Sequence, residues 1–185
     1  AASDVYKRQK NGRVRLFYQI MKEVFDKKTV TLLIANLESI GFFDAPASTK
    51  YHGNYPGGLF DHSFAVTKTL LSLTERLELK WKRPQSPYLI GMLHDLCKCD
   101  NYIRKPDDTY EYNTGLTLTG HGDKSVIMAQ SLLHLTDEEI LCIRWHMGAY
   151  DSKENWNAYG AAIEQYPNVL YTHTADMVAA KILKV

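Results

Sequence analysis

Seven histidines are spread through this 185-residue chain, and several stand beside acids or glycines. The sharpest group is Gly91-Met92-Leu93-His94-Asp95-Leu96-Cys97-Lys98. An adjacent His-Asp pair is common by chance, so its surroundings carry the weight. His62 lies on the preceding helical segment, and Asp176 lies on the last one. Imidazole nitrogen together with carboxylate oxygen suits borderline and hard divalent cations. Two such ligands from one helix end, plus one each from two other helices, can enclose a cation and leave positions open for water. Cys97 and Cys99 are close to the doublet, but without two further thiols they do not make a structural zinc site.

The elements that must position these residues are mostly helices. Val14, Leu16, Phe17, Ile20, Met21 and Val24 fall at three- and four-residue steps. Val30, Leu33, Ile34, Leu37 and Ile40 do the same, and Gly41 supplies a stop. Residues 42–58 have no periodicity and carry Pro46, Gly53, Pro56, Gly57 and Gly58, which predicts a long loop of the kind that is often functional. A helix follows with Leu59, Ala65, Val66, Leu70, Leu73 and Leu77 inward. Ser86 is placed to cap the next helix, with Pro87 in its first turn, and that helix carries Tyr88 to Cys97. A hairpin is expected over Ile103–Tyr112 around Pro106-Asp107-Asp108. Val126 to Leu133 reads as helix. Thr136 and Glu139 have capping-box spacing and open a helix through Trp145. Residues 148–158 read as loop, a short helix precedes Pro167, and a last helix runs from about Val169 towards Ile182. The expected class is all-α, with at most one short β-hairpin and more helices than a simple four-helix bundle.

Composition narrows the function classes. Apolar residues make up 45% and charged residues 23%, which excludes a disordered or collagen-like chain. The net charge of +1 offers no bulk attraction to nucleic acid or to a membrane surface. Three cysteines are too few and too odd for a disulfide framework, so a reducing compartment is the expected setting. No apolar run approaches a membrane span, and the N-terminus lacks a signal-peptide core. The expected location is therefore cytoplasmic. The stretch Ala1 to Gln9 resembles a translated sequencing-adapter read-through, so residues 1–10 are set aside as non-native or disordered. The chain opens with Ala1 and not with methionine, and the expectation is that its natural start is missing. One domain is expected over 11–185, with N-terminal helices at 13–41 and a metal-binding core at 42–180.

The order His…His-Asp…Asp on helices resembles the HD superfamily of metal-dependent phosphohydrolases. Tyr51-His52-Gly53-Asn54-Tyr55-Pro56-Gly57-Gly58-Leu59-Phe60-Asp61-His62-Ser63 is similar to the His-x-x-Tyr-x-Gly-Gly-Leu-x-x-His segment of HD domains related to bacterial 3′–5′ exoribonucleases. Gly120-His121-Gly122-Asp123-Lys124-Ser125 and Arg144-Trp145-His146 occupy places where larger HD proteins put two more histidines, and Thr174-Ala175-Asp176 resembles the closing motif. The resemblance implies an HD-domain helical bundle. It implies that His62, His94, Asp95 and Asp176 hold one divalent ion, and that His121 and His146 hold a second, with Asp95 bridging. Mn, Fe, Co, Ni, Zn or Mg would serve, and a metal-activated hydroxide would attack phosphorus. Asp95 and Lys98 are the implied catalytic residues.

The implied substrate is a small phosphate mono- or diester of a nucleotide. Its contacts are expected from Lys98, His52, Tyr55, Asp123, Ser125 and Arg144. Each of these has a blander reading: a solvated lysine, loop-ordering residues, a helix-start acid, a cap and a surface ion pair. His134 reads as surface, and His173, three residues before Asp176, reads as helix packing or as a support behind the ligands. The same ligand order is similar to that of HD-fold di-iron oxygenases of the myo-inositol oxygenase type. A non-catalytic nucleotide-sensing HD module is a further alternative. Nucleic acid is a less favoured partner, since the charge is neutral and no OB-like β segment is present. The sequence leaves the oligomeric state open.

Overall fold

The computed structural model describes residues 2–185; Ala1 lies outside the described residues. Helices dominate, and the strands form a single two-stranded hairpin among those residues, so the all-α expectation holds. The chain divides into two compact units: residues up to His62 with Lys98–Leu116 and Val185, and Ser63–Cys97 with Thr117–Lys184.

The first unit starts with α1 (Ala2–Met21) and α2 (Lys27–Ser39). α1 begins well before the apolar spacing, because Ala, Lys, Arg and Gln propagate a helix without an apolar face. Asp26 caps α2 by accepting from the Thr29 N–H at 3.0 Å. At the other end Gly41 takes φ +82°, the Phe42 N–H reaches the Leu37 carbonyl and the Gly41 N–H reaches that of Glu38. This is a Schellman stop, and it needs the glycine. Phe17, Phe42, Phe43 and Phe60 are fully buried against one another, with ring centroids 5.2–6.5 Å apart. Edge-to-face aromatic pairs contribute about 0.5–1.5 kcal/mol each beyond their burial.

The long loop is ordered by backbone bonds from Ala47 to Gly53, Gly57 to Asp44 and Leu59 to Ala45. A Cβ on Gly58 would stand 2.0 Å from the Gly53 carbonyl oxygen, so the loop folds on itself only with glycine there. It leads into α3 (Gly58–Arg76), whose first turn belongs to this unit. α5 (Lys98–Asn101) runs into β1 (Tyr102–Arg104), which pairs antiparallel with β2 (Tyr110–Tyr112) in the register Tyr102↔Tyr112. Asp108 sits at φ +64° and Asp107 accepts from the Thr109 N–H, as a tight hairpin with a left-handed last turn residue requires.

The second unit holds the rest of α3 and five more helices. These are α4 (Ser86–Leu93), α6 (Gly122–Gln130), α7 (Asp137–Arg144) and α8 (Trp156–Gln165), followed by α9 (Asn168–Met177), which continues as π-helical turns over Val178–Leu183. α7 packs against α4, α6 and α9. Its expected capping box is present: the Thr136 hydroxyl accepts from the Glu139 N–H, and Glu139 accepts from the Thr136 N–H. Residues 148–158 contain two 3₁₀ turns and the start of α8 rather than plain loop.

Two expectations about α4 are corrected. Ser86 does not cap it; its hydroxyl donates to Glu139 Oε1 at 2.8 Å inside the core. The helix also stops at Leu93, and residues 94–97 form a turn. Leu96 and Cys97 are buried there, so the apolar pattern runs on past the last helical hydrogen bond. Gly91 fixes how closely α4 meets α3: an added Cβ would lie 2.5 Å from Thr67 Oγ1 and 2.6 Å from its Cα. Gly91→Ala gains about 1 kcal/mol of helix propensity. Overpacking against backbone costs about 1–3 kcal/mol, and here it wins. A urea midpoint below that of the wild type is the expected result, and an unchanged or higher one contradicts the close approach.

Candidate metal centre

Five of the six residues expected to ligate metal lie in the second unit, and the structure brings them together. Asp95 is the hub and is only 2% exposed. His121 Nε2 lies 2.9 Å from its Oδ1, His146 Nε2 lies 3.3 Å from the same oxygen, and His94 Nε2 lies 3.4 Å from Oδ2. Asp176 Oδ1 is 4.0 Å from His94 Nε2. Each segment ends where its ligand is needed. His94 is the C-cap of α4, His121 the N-cap of α6, His146 follows α7, and Asp176 rides on the last turn of α9.

The rings are held from behind. His94 Nδ1–H donates to the Gly91 carbonyl at 2.9 Å, and His146 Nδ1–H donates to the Ile143 carbonyl at 2.7 Å. A carbonyl only accepts, so both Nδ1 atoms carry the proton and both Nε2 atoms present a lone pair to Asp95 when the rings are neutral. Burial lowers the pKa of His94 and keeps it neutral, outweighing the charges of Asp95 and Asp176. His146 Nε2 is buried with no hydrogen-bond partner. Lone pairs aimed at a carboxylate repel it, and a cation between them converts that repulsion into coordination. The donor set therefore fits a divalent ion. His94, Asp95 and His146 form one group of ligand atoms close enough to hold one, and Asp95, Cys97 and His121 form another.

His121 is anchored differently. Its Nδ1 faces the buried Cys97 Sγ at 3.2 Å, and the Cys97 N–H donates to Ser125 Oγ at 3.2 Å. A thiol serves as either donor or acceptor. His121 can thus carry its proton on Nε2, donating to Asp95, or on Nδ1, leaving Nε2 to a cation. Sequence reasoning set Cys97 aside because it counted thiols as ligands; the signal for a supporting role was only its place three residues after His94. His173, three residues before Asp176, is expected either to pack or to support a ligand, and it does the latter. Its Nδ1–H donates to the His146 backbone carbonyl at 2.8 Å, and its ring fills the space where a Cβ on Gly148 (φ +53°) would stand.

The other expected site residues are placed as follows. Ser125 is buried and is engaged by Cys97 instead of capping α6. Arg144 pairs with Asp123 and, at 2.9 Å, with Asp151, so its charge is met within the protein. In the first unit, His62 Nδ1–H donates to the Val185 carbonyl at 2.8 Å, and the His52 ring lies 4.9 Å from the His62 ring. The Tyr55 hydroxyl donates to Asp61 Oδ2 at 3.0 Å. Burial and the Asp61 charge push its pKa up to about 12, so it is a hydrogen-bond donor and a poor acid. Arg13, which the sequence did not single out, grips the same Asp61 through Nε and Nη2 at 3.0 and 3.2 Å and packs on Gly57. Lys98 opens α5 and is 8% exposed, so it is not a solvated lysine. No described helix is long and apolar enough to cross a membrane.

No protein-family model matches the chain, and no solved structure does. Among curated proteins, a dihydroneopterin 2′,3′-cyclic phosphate phosphodiesterase from Methanocaldococcus jannaschii is 34% identical over 110 residues, an alignment covering 54% of this chain and 44% of that protein. The chain is thus similar, over less than half of the relative's length, to a phosphodiesterase.

Proposed function

We propose that this chain carries the catalytic core of an HD-type, metal-dependent phosphodiesterase whose substrate is a small cyclic phosphodiester of a nucleotide or pterin. The observation that carries the reading is the buried Asp95 carboxylate with three imidazole Nε2 atoms within 3.4 Å. The curated relative, itself a phosphodiesterase, supports the reaction class. The sequence resemblance adds His62 to the ligands and gives Asp95 the bridging place between two divalent ions. The positions of Lys98 beside the doublet and of His52 and Tyr55 in the glycine loop suit them to the substrate. A divalent ion, when bound, neutralises phosphoryl charge and acidifies a water molecule. The chain's own part is to hold that charge. Asp95 supplies the anion, His94 and His146 keep their lone pairs inward, and the thiol of Cys97 lets His121 move its proton to Nδ1. Tyr55 keeps its proton at neutral pH and orients what it binds.

Metal-free protein reloaded in turn with Mn²⁺, Fe²⁺, Co²⁺, Ni²⁺, Zn²⁺ and Mg²⁺ tests this. The substrates are the 2′,3′-cyclic phosphates of dihydroneopterin and of ribonucleosides, beside the matching monoesters. Expected is metal-dependent opening of the cyclic ester by water to a monoester. Folded protein that opens no cyclic ester with any of the six ions sinks the reading. Lys98→Ala is expected to lower kcat/KM at least tenfold with metal content unchanged, because an ammonium cannot ligate a cation but can meet developing phosphoryl charge. Lys98→Arg recovers part of that loss. Unchanged kinetics in Lys98→Ala removes Lys98 from the substrate.

A further inference from the structure

His121 and His146 must stand a fixed distance apart if one carboxylate is to serve both, yet they come from the start of α6 and the end of α7. Two contacts join those two segments and a third holds the end of α7 to the turn after it, and all converge on Arg144. First, the backbones touch: a Cβ on Gly122 would lie 2.0 Å from the Arg144 carbonyl oxygen, so only glycine follows His121 without moving α7. Second, the Arg144 guanidinium pairs with Asp123, two residues after His121. Third, its Nη1 donates to Asp151 Oδ2 at 2.9 Å, and Asp151 is itself held by the Ser152 N–H at 2.7 Å and by Asn155 Nδ2 at 3.0 Å. The guanidinium also lies 4.1 Å from the Trp145 ring centroid, which restricts it to one plane. One arginine shared by two carboxylates leaves the cluster with a net charge of about −1 at neutral pH. Such a cluster repels a phosphate and does not bind it.

We infer that Arg144 is a positioning residue: it clamps the start of α6 to the end of α7, and so sets the affinity of the His121–His146 side of the site for its cation. The inference rests on the metal-centre reading above. Partners of this kind, outside the ligand set, typically change metal affinity 10–100-fold when removed. Arg suits the task because its planar fork reaches two carboxylates at once, which a lysine cannot do.

Calorimetric titration of metal-free protein with Co²⁺ and with Mn²⁺ tests it, using the wild type, Arg144→Ala, Arg144→Lys, Asp123→Asn and, as reference, His121→Ala. Expected is a loss of about 10–100-fold in Arg144→Ala at the binding event that His121→Ala removes. Binding at the His94–Asp176 side stays within about threefold, a margin ordinary for a remote change. Arg144→Lys restores part of the loss. Asp123→Asn, at an exposed position that the fold tolerates, shifts the same event in the same direction by less. Wild-type binding that Arg144→Ala leaves unchanged, or weakens equally at every event, overturns the clamp and leaves the metal reading standing. A raised KM with intact metal binding overturns it too, by assigning Arg144 to substrate. A wild type that binds neither ion removes the metal reading and the clamp together.

Discussion

On the proposed phosphodiesterase reading, Asp95→Asn is expected to abolish turnover, with kcat/KM falling on the order of 10³-fold or more, a loss of about 4 kcal/mol of transition-state stabilisation. The substitution keeps the shape of the side chain and removes its charge. Three Nε2 atoms converge on that one carboxylate, so every arrangement of a cation among them loses its anionic partner. The same change has the opposite effect on the metal-free fold. The new amide can donate to Nε2 of His146, a buried atom that has no hydrogen-bond partner in the wild type. Satisfying such a group contributes about 1 kcal/mol. Metal-free Asp95→Asn is therefore expected to unfold at the same or higher urea concentration than the wild type, while its metal content drops below one-tenth. A variant that still binds metal and turns over, or one destabilised by several kcal/mol without metal, would show that Asp95 is structural.

Glu139→Ala carries the largest expected cost in stability, about 3–5 kcal/mol, out of the 5–15 kcal/mol that a domain has in total. The carboxylate is fully buried and saturated. Oε1 accepts from Arg83 Nε and the Ser86 hydroxyl, both at 2.8 Å; Oε2 accepts from Arg83 Nη2 at 2.7 Å and the Thr136 N–H at 2.9 Å. Removing it strands the buried Ser86 hydroxyl and opens the cap of α7, which carries Arg144 and leads to His146. Arg83, left without the carboxylate, is 30% exposed and can turn to water, so the cost falls on the buried partners. Burial pushes the Glu139 pKa up, but the bonds from Arg83, Thr136 and Ser86 outweigh it and hold it below its ordinary value of 4.5. A depressed folded value means the contribution is complete above the unfolded pKa and is lost as pH falls through the folded one. The gap in unfolding free energy between wild type and Glu139→Ala should therefore be widest near neutrality and close under acid. A gap that widens below pH 4.5 would contradict the assignment.

Local chemistry was legible where it is self-contained. The capping box of α7, the stop at Gly41 and the hairpin at Asp107-Asp108 depend on residues within a few positions, and all three form. The end of α4 was not legible, since buried Leu96 and Cys97 continue the apolar rhythm through a turn. Ser86 has the right type for a cap, but the Glu139 carboxylate is a partner that spacing along the chain does not reveal. The types and order of the clustered histidines and aspartates could be read, because a candidate metal site is a pattern of side-chain chemistry. What supports them was legible only for His173, three residues before Asp176: the thiol behind His121 and the Arg144–Asp123 pair join distant segments. Such pairs have no period, and each partner alone looks like an ordinary surface or core residue.

The carbonyls of Gly91 and Ile143 belong to the last turns of α4 and α7, where a helix has more acceptors than donors. Each ring three residues on supplies the missing donor, so one bond both finishes a helix and sets an imidazole. The orientation of His94 and His146 is thus settled as the helices form, before any ion arrives. The entropy of fixing those side chains is then spent in folding and not again in ion capture. On the proposed metal-centre reading, an ion would meet rings already set, and its departure would leave the helix ends closed behind it. Cycles of chelation and reloading should return the same protein, with the amide protection of α4 and α7 retained throughout.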